Sequence, residues 1–321
     1  MAGPLPPAPP GMFIAVDPPG HTRYRRLLTG MFTVRRMRLL TERVTRIAAA
    51  RLDAIADHGP AVDIVDAYAR PIPAQLICEL LGVPYEDREY FQKHAATMNM
   101  RDTEPQDQYQ AMTAIQRYLH ELVVAKRNKP TDDLLGDLAT GELTDDELTN
   151  VGTILLVAGL DTTANMIALG LYALFRNPDQ LAALRADPTI IDGAVEELLR
   201  YLSIAHTNVR TALEDVVVNG HLVKKGDSVA LSLQAANRDP DRFPAPDVLD
   251  LNRRATGHLA FGHGVHQCLG QQLARVQMRI AFPALLARFP TLALAIPVQD
   301  VPLRANADIS GVHALPVTWQ R

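Results

Sequence analysis

Residues 261–270 read Phe-Gly-His-Gly-Val-His-Gln-Cys-Leu-Gly. Cys268 is set among glycines just before a helical stretch. A thiolate presented from such a loop is well placed to ligate a metal. The helix dipole and the loop amides stabilise its negative charge. The small residues also let a flat cofactor approach the backbone closely. Taken without the spacing, a buried free cysteine is the common alternative. Three other sets of residues bear on this loop. Ala158-Gly159-Leu160-Asp161-Thr162-Thr163 lies inside a long apolar run, where glycine and paired threonines are poor helix formers. Thr162 can bond the Ala158 carbonyl and bend the helix, opening a groove with a carboxylate and a hydroxyl. A harmless irregularity would read the same way. Glu197 and Arg200, at i and i+3, share a helix face and can pair; alone they would pass for a surface pair of little worth. His21, Arg25, Arg210 and His266 form a scattered cationic set able to answer carboxylates.

These residues need a large scaffold, and the composition provides one. The chain has 321 residues, 47% hydrophobic and 21% charged, which suits one large core. A net charge of −4 argues against a nucleic-acid partner. Two cysteines, Cys78 and Cys268, make no disulfide scaffold and suit a reducing cytoplasmic compartment. Residues 1–16 open on a Pro-rich run that reads as an extended tail, with no signal peptide or membrane anchor. Thr153 to Phe175 is apolar enough to raise a transmembrane question, but Asp161, Thr162, Thr163 and Asn165 at its centre favour a buried core helix.

Helical patterns cover Arg36–Asp57, Pro71–Leu81, a short segment from Pro84, Pro105–Arg127 and Ile190–Leu202. Thr144 to Glu147 reads as a capping box before the long apolar helix. Strand character comes late, at Asp215–Val223 with an Asn219-Gly220 turn, at Ser228–Leu233 and at Leu315–Trp319. The class is mainly α with small β-sheets, in one domain over residues 17–321.

Phe261, Gly262, Gly264, Cys268 and Gly270 resemble the haem-ligand loop F-G-x-G-x-x-x-C-x-G of the cytochrome P-450 superfamily. Residues 158–163 are similar to that family's A-G-x-D/E-T-T/S run, and Glu197-Leu-Leu-Arg200 to its E-x-x-R motif. Asp17 to Thr22 and Arg210-Thr-Ala-Leu-Glu-Asp-Val match two further patterns. The resemblance extends from Asp17 to Trp319 and is strongest to soluble bacterial members. It implies the cytochrome P-450 fold and haem b (iron protoporphyrin IX) bound through Cys268. It places Ala158, Gly159, Phe261, Gly262 and Gly270 at the cofactor, and His21, Arg25, Arg210 and His266 at its propionates. Thr162 would hold bound oxygen and Asp161 would relay protons. Glu197 and Arg200 would form a structural ion pair under the loop.

The family often adds another arginine before the loop. Val248 stands where that arginine is expected, so the network would be incomplete or satisfied differently. The implied activity is insertion of one atom of O2 into an apolar small molecule, in natural-product biosynthesis or xenobiotic oxidation. Electrons would come from a separate ferredoxin and its NAD(P)H-dependent reductase. Arg23 and Arg26 are expected to join Arg275 or Arg279 in a basic docking patch. Residues near 204–209 and Ile309 are expected to line the substrate pocket. In the family several helices, the first strands and a roofing loop precede the Asp-Pro-Pro-x-His-Thr segment. Here Asp17 stands near Met1, so a misassigned start, a truncated gene or a partner chain supplying the missing surface is expected, with an unpaired sheet edge and an open pocket. A haem-binding protein without turnover, or a peroxide-driven or redox-independent enzyme, fits the same residues.

Overall fold

The computed structural model describes residues 8–31, 33–99, 102–304 and 307–320. Two features dominate it: a long buried helix through the centre, and a meander that delivers the cysteine loop beneath it. In chain order the helices are α1 (Gly20–Met31), α2 (Val34–His58), α3 (Pro71–Leu81), α4 (Arg88–Asn99), α5 (Pro105–Asn128), α6 (Leu134–Ala139), α7 (Asp145–Arg176), α8 (Pro178–Ala186), α9 (Ile191–Leu202), α10 (Leu233–Ala236) and α11 (Gln271–Arg288). The strands are β1 (Val62–Asp63), β2 (Thr207–Thr211), β3 (Val216–Val218), β4 (His221–Val223), β5 (Ser228–Ser232), β6 (Ala293–Leu294) and β7 (Pro316–Thr318).

All strand pairs are antiparallel: β1 and β6 flank β7, β2 pairs with β5, and β3 with β4. Among the described residues β2 and β5 pair only with each other, and their Val209 and Leu231 are exposed. Among the described residues the outer edges of this ribbon carry no further strand. The strand β2 was not foreseen: Asn208 and Arg210 interrupt any apolar alternation, and pairing with β5 selects the conformation instead.

Local signals explain most element ends. Gly82 closes α3 in the left-handed region, at φ 65°. Asn219 and Gly220 both have positive φ and make the tight β3–β4 turn. Thr144 and Glu147 form the capping box at the start of α7. This helix alone among those described is long and apolar enough to cross a membrane, yet 61% of its most apolar window is buried in the protein. It packs against α3, α5, α9 and α11 and forms the axis of the core.

The expected tail departs from the prediction. Residues 1–7 lie outside the described residues, but the following ones fold back onto the body. Phe13 is buried, the Gly11 amide donates to Tyr24 Oη, and Asn150 donates to the Pro10 carbonyl. The proline-rich composition masked one buried aromatic ring, which is enough to anchor a short segment.

Glu147 does more than cap α7. Its carboxylate accepts from the Thr144 amide, Tyr24 Oη and the Arg23 guanidinium. Burial alone would raise its carboxyl, but these hydrogen bonds overcome burial and hold it at about 2. Glu147 thereby ties α1 to the start of α7. Glu147→Gln is expected to lower stability by about 1–3 kcal/mol at pH 7. The native carboxyl lies below its unfolded value, so its contribution is complete above the usual carboxylate range and drains away as pH falls toward 2. Urea unfolding at about pH 7 and about pH 3.5 should show the difference between native and variant narrowing at the lower pH.

Candidate active site

Cys268 sits at the end of the loop that follows a single helical turn, Gly264–His266. Its amide donates to the Phe261 carbonyl at 2.9 Å, which closes the loop on itself. Gly262 and Gly264 have φ of 69° and 79°, a region that favours glycine. A Cβ on Gly262, Gly264 or Gly270 would meet open space, so this face is a cradle free of protein atoms. Cys268 is exposed where the loop opens onto a cavity. Burial pushes its thiol up, while the Gly270 amide and the Arg25 and Arg275 charges draw it down. Cys78, in contrast, is fully buried in α3, and burial pushes its thiol to about 12. It is a packing residue.

Two adjoining cavities, about 220 and 260 Å3, share Thr162, Thr163, Phe261, His266, Cys268 and Ala274. The first adds His21, Arg25, Ala158, Gly159 and Gly270. The second adds Arg210, Gly262, Ile204, Asn208 and Ile309. Thus the predicted cofactor residues, the threonine assigned to oxygen and the expected pocket segments meet in one place. A larger cleft of about 770 Å3 opens along α2, but it is lined by residues such as Arg36 and Arg43 that already pair with Asp137 and Glu79.

The donors of this slot fit a haem. His21 is 2% exposed, and its Nε2 has no hydrogen-bond partner. An orphaned buried nitrogen beside Arg25, on a cavity wall, awaits an anionic acceptor. The His21 and His266 rings lie 4.4 Å apart. Burial lowers the His21 pKa first, then the His266 and Arg25 charges. The opposing charge is Asp17, an exposed carboxylate 3.5 Å from His266. Propionates would supply the counter-charge that this cationic corner otherwise takes from Asp17 alone. Arg210 reaches the same slot from β2, with Nη1 donating to the Val209 carbonyl.

On the opposite wall α7 stays helical throughout. Thr162 Oγ1 donates to the Ala158 carbonyl at 2.9 Å, as its sequence position predicted. Gly159 has a role the sequence did not show. A Cβ there would lie 2.7 Å from Ile77, so the glycine permits close packing of α3 on α7. Asp161 is 15% exposed and accepts from Arg304 at 2.9 and 3.2 Å. No local pattern marked Arg304, which is 143 residues away in sequence. It is held in place by the Leu303–Val312 pairing near the C-terminus.

Beneath the loop, Glu197 and Arg200 are both fully buried and doubly bonded, at 2.7 and 2.8 Å. The network is complete and is satisfied differently, the second of the two outcomes expected with valine at position 248. Arg253, not residue 248, donates to Glu197 Oε1 at 3.1 Å. Val248 is exposed and contributes only its carbonyl, to Arg253 Nη2. The meander folds so that an arginine five positions later reaches the carboxylate. Arg200 also donates to the Asn237 and Pro246 carbonyls, and Glu197 accepts from the Asp250 amide.

The expected basic docking patch does not form as drawn. Arg23 turns to Glu147, Arg275 to Glu196, and Arg279 to Asp192. Each has a carboxylate within reach on a neighbouring helix, and charge pairing outweighs a shared exposed face. Of the four, Arg26 is left exposed.

A cysteine-centred slot thus lies between α7 and a glycine loop, on a helical body with small sheets. The chain matches the Cytochrome P450 family model over residues 88–301. It is 50% identical over 300 residues to "Cytochrome P450 105C1" of a Streptomyces species, covering 92% of this chain and 79% of that one. A crystal structure of CYP105P1 in complex with filipin I superposes with a TM-score of 0.95 at 42% identity, covering 99% of this chain and 82% of that one. The LnmA hydroxylase of the leinamycin pathway of Streptomyces atroolivaceus gives a TM-score of 0.90 at 42% identity, covering 98% and 83%. The chain belongs to the cytochrome P450 family, whose members are haem-dependent monooxygenases.

Arg253→Ala is expected to cost about 2–3 kcal/mol, because it strips a charged donor from a buried carboxylate. Val248→Ala should stay within about 0.5 kcal/mol of native. Denaturant unfolding, with haem retention through gel filtration as a second readout, separates the two.

Proposed function

We propose that this protein is a haem b monooxygenase that inserts one oxygen atom from O2 into an apolar small molecule, drawing electrons from a separate ferredoxin and its NAD(P)H-dependent reductase. One observation carries the reading: Cys268 and Thr162 line the same two cavities, from the loop and from α7. Cys268 would hold the haem as thiolate, with His21, Arg25, Arg210 and His266 answering its propionates. When bound, the haem supplies the redox chemistry, and thiolate donation favours O–O cleavage, as is general in this family.

The remaining steps belong to the chain's own residues. Thr162 presents a hydroxyl whose proton is donated to the Ala158 carbonyl, so it offers its lone pairs as it stands and offers a proton by swinging that O–H off the carbonyl, with no change in the helix. Asp161, one residue away, moves protons toward it from the Arg304 side. Relay requires the carboxylate to release one Arg304 contact, so Arg304 sets how readily Asp161 turns. Met166, Leu199, Ile204, Leu233 and Ile309 line the second cavity and exclude water, and Asn208 is the amide among them. This suits an apolar substrate. Hydroxylation or epoxidation in natural-product biosynthesis fits the relatives' chemistry, since one is a hydroxylase of a biosynthetic pathway. Both cysteines are unpaired, which supports a cytoplasmic setting.

Ferredoxin, reductase and NAD(P)H should drive product formation on a panel of apolar compounds, whereas peroxide alone should not. Thr162→Ala is expected to keep haem and substrate binding but to lower product per NAD(P)H by about tenfold or more, with peroxide rising in step. Asp161→Asn should slow turnover more than binding. Unchanged coupling in both variants would remove these residues from the mechanism.

A further inference from the structure

Two carboxylates stand side by side on α9, Glu196 and Glu197, and only Glu197 belongs to the buried pair already described. Glu196 accepts two hydrogen bonds from Arg275 of α11, at 2.7 and 2.9 Å. It also contacts His258 Nε2 at 3.1 Å. The Ala260 amide donates to His258 Nδ1, which leaves Nε2–H to donate to Glu196 in the neutral ring. Arg279 lies further off, with Nη2 at 3.9 Å. Arg275 is largely buried, at 14% exposure, and donates also to Gln271 Oε1.

The held guanidinium has a specific target. It stands over the Phe261 ring, 4.6 Å from the centroid. The Phe261 carbonyl in turn accepts the Cys268 amide. The arginine, the ring and the ligand turn are therefore one contact chain. Arg275 is also one of the cations whose charge draws the Cys268 thiol down, consistent with its place on this contact chain. A cation fixed in a low-dielectric region acts strongly on a nearby anion.

We propose that Arg275, oriented by Glu196, is a positioning residue that keeps a positive field on the Cys268 thiolate and so raises the reduction potential of the bound haem. The inference rests on the haem-thiolate reading above. The two ends of the pair make opposite predictions. Arg275→Gln removes the cation, so the potential should shift negative. Glu196→Gln removes the counter-charge and keeps the cation, so the potential should shift positive. Arg275→Lys should stay nearer native than Arg275→Gln. A loosened loop alone would move Arg275→Gln and Glu196→Gln in the same direction.

The experiment is spectroelectrochemical titration of the haem-loaded full chain and these variants, with the reduced carbon-monoxide spectrum recorded for each. Opposite shifts support the proposal. Shifts of one sign, or none, overturn it. If Arg275→Gln does not retain haem, Glu196→Gln decides: a positive shift supports, and a zero or negative shift overturns. A native protein lacking the thiolate-type spectrum would instead refute the haem-thiolate reading itself.

Discussion

A carboxylate with no access to water must be fully paired, and Glu197 has none. Its two oxygens take bonds from Arg200, Arg253 and the Asp250 amide. The arginines pass the constraint on, because their remaining N–H groups bind the carbonyls of Asn237, Pro244, Ala245, Pro246 and Val248. A stretch with no regular secondary structure is thus pinned by charge instead of by a ladder. The cysteine loop begins where that stretch ends. Removing Glu197 or Arg200 would leave its fully buried partner uncompensated, typically a loss of about 3–5 kcal/mol, more than for the less buried Arg253. Asn237 extends the same logic, since its Oδ1 accepts the Leu259 amide at the entrance to the loop.

The distal wall is built on a different compromise. Residues that weaken a helix interior lie at the centre of α7, where packing against neighbouring helices keeps the helix intact. Gly159 is small because Ile77 leaves no room, and Thr162 satisfies its hydroxyl within its own turn. What remains open is a slot between the helix and the glycine loop. The proximal side is fixed by charge and the distal side by packing. Both must hold for the sulfur and the hydroxyl to line one slot.

Much of this was legible in the sequence because its signals are local. The cysteine loop, the α7 motif, the capping box, Gly82 and the Asn219-Gly220 turn each occupy a few consecutive residues whose chemistry dictates their shape. What was not legible depends on folding of distant segments. Arg253 replaced the expected position 248 because the meander's path, not its spacing, decides which side chain reaches Glu197. Arg304 finds Asp161 from the far end of the chain, and no pattern near either residue announces it. Arg23, Arg275 and Arg279 read as a shared basic surface, but carboxylates from neighbouring helices claim each of them. Phe13 is hidden by the prolines around it, and only the core contact reveals it.

The central claim is that Cys268 ligates haem as a thiolate. The most direct measurement is the absorption spectrum of the reduced carbon-monoxide complex of haem-loaded protein, compared with Cys268→Ala and Cys78→Ala. The account predicts the thiolate-type band in the native protein and in Cys78→Ala, and its loss in Cys268→Ala. Persistence of that band without Cys268 would contradict it.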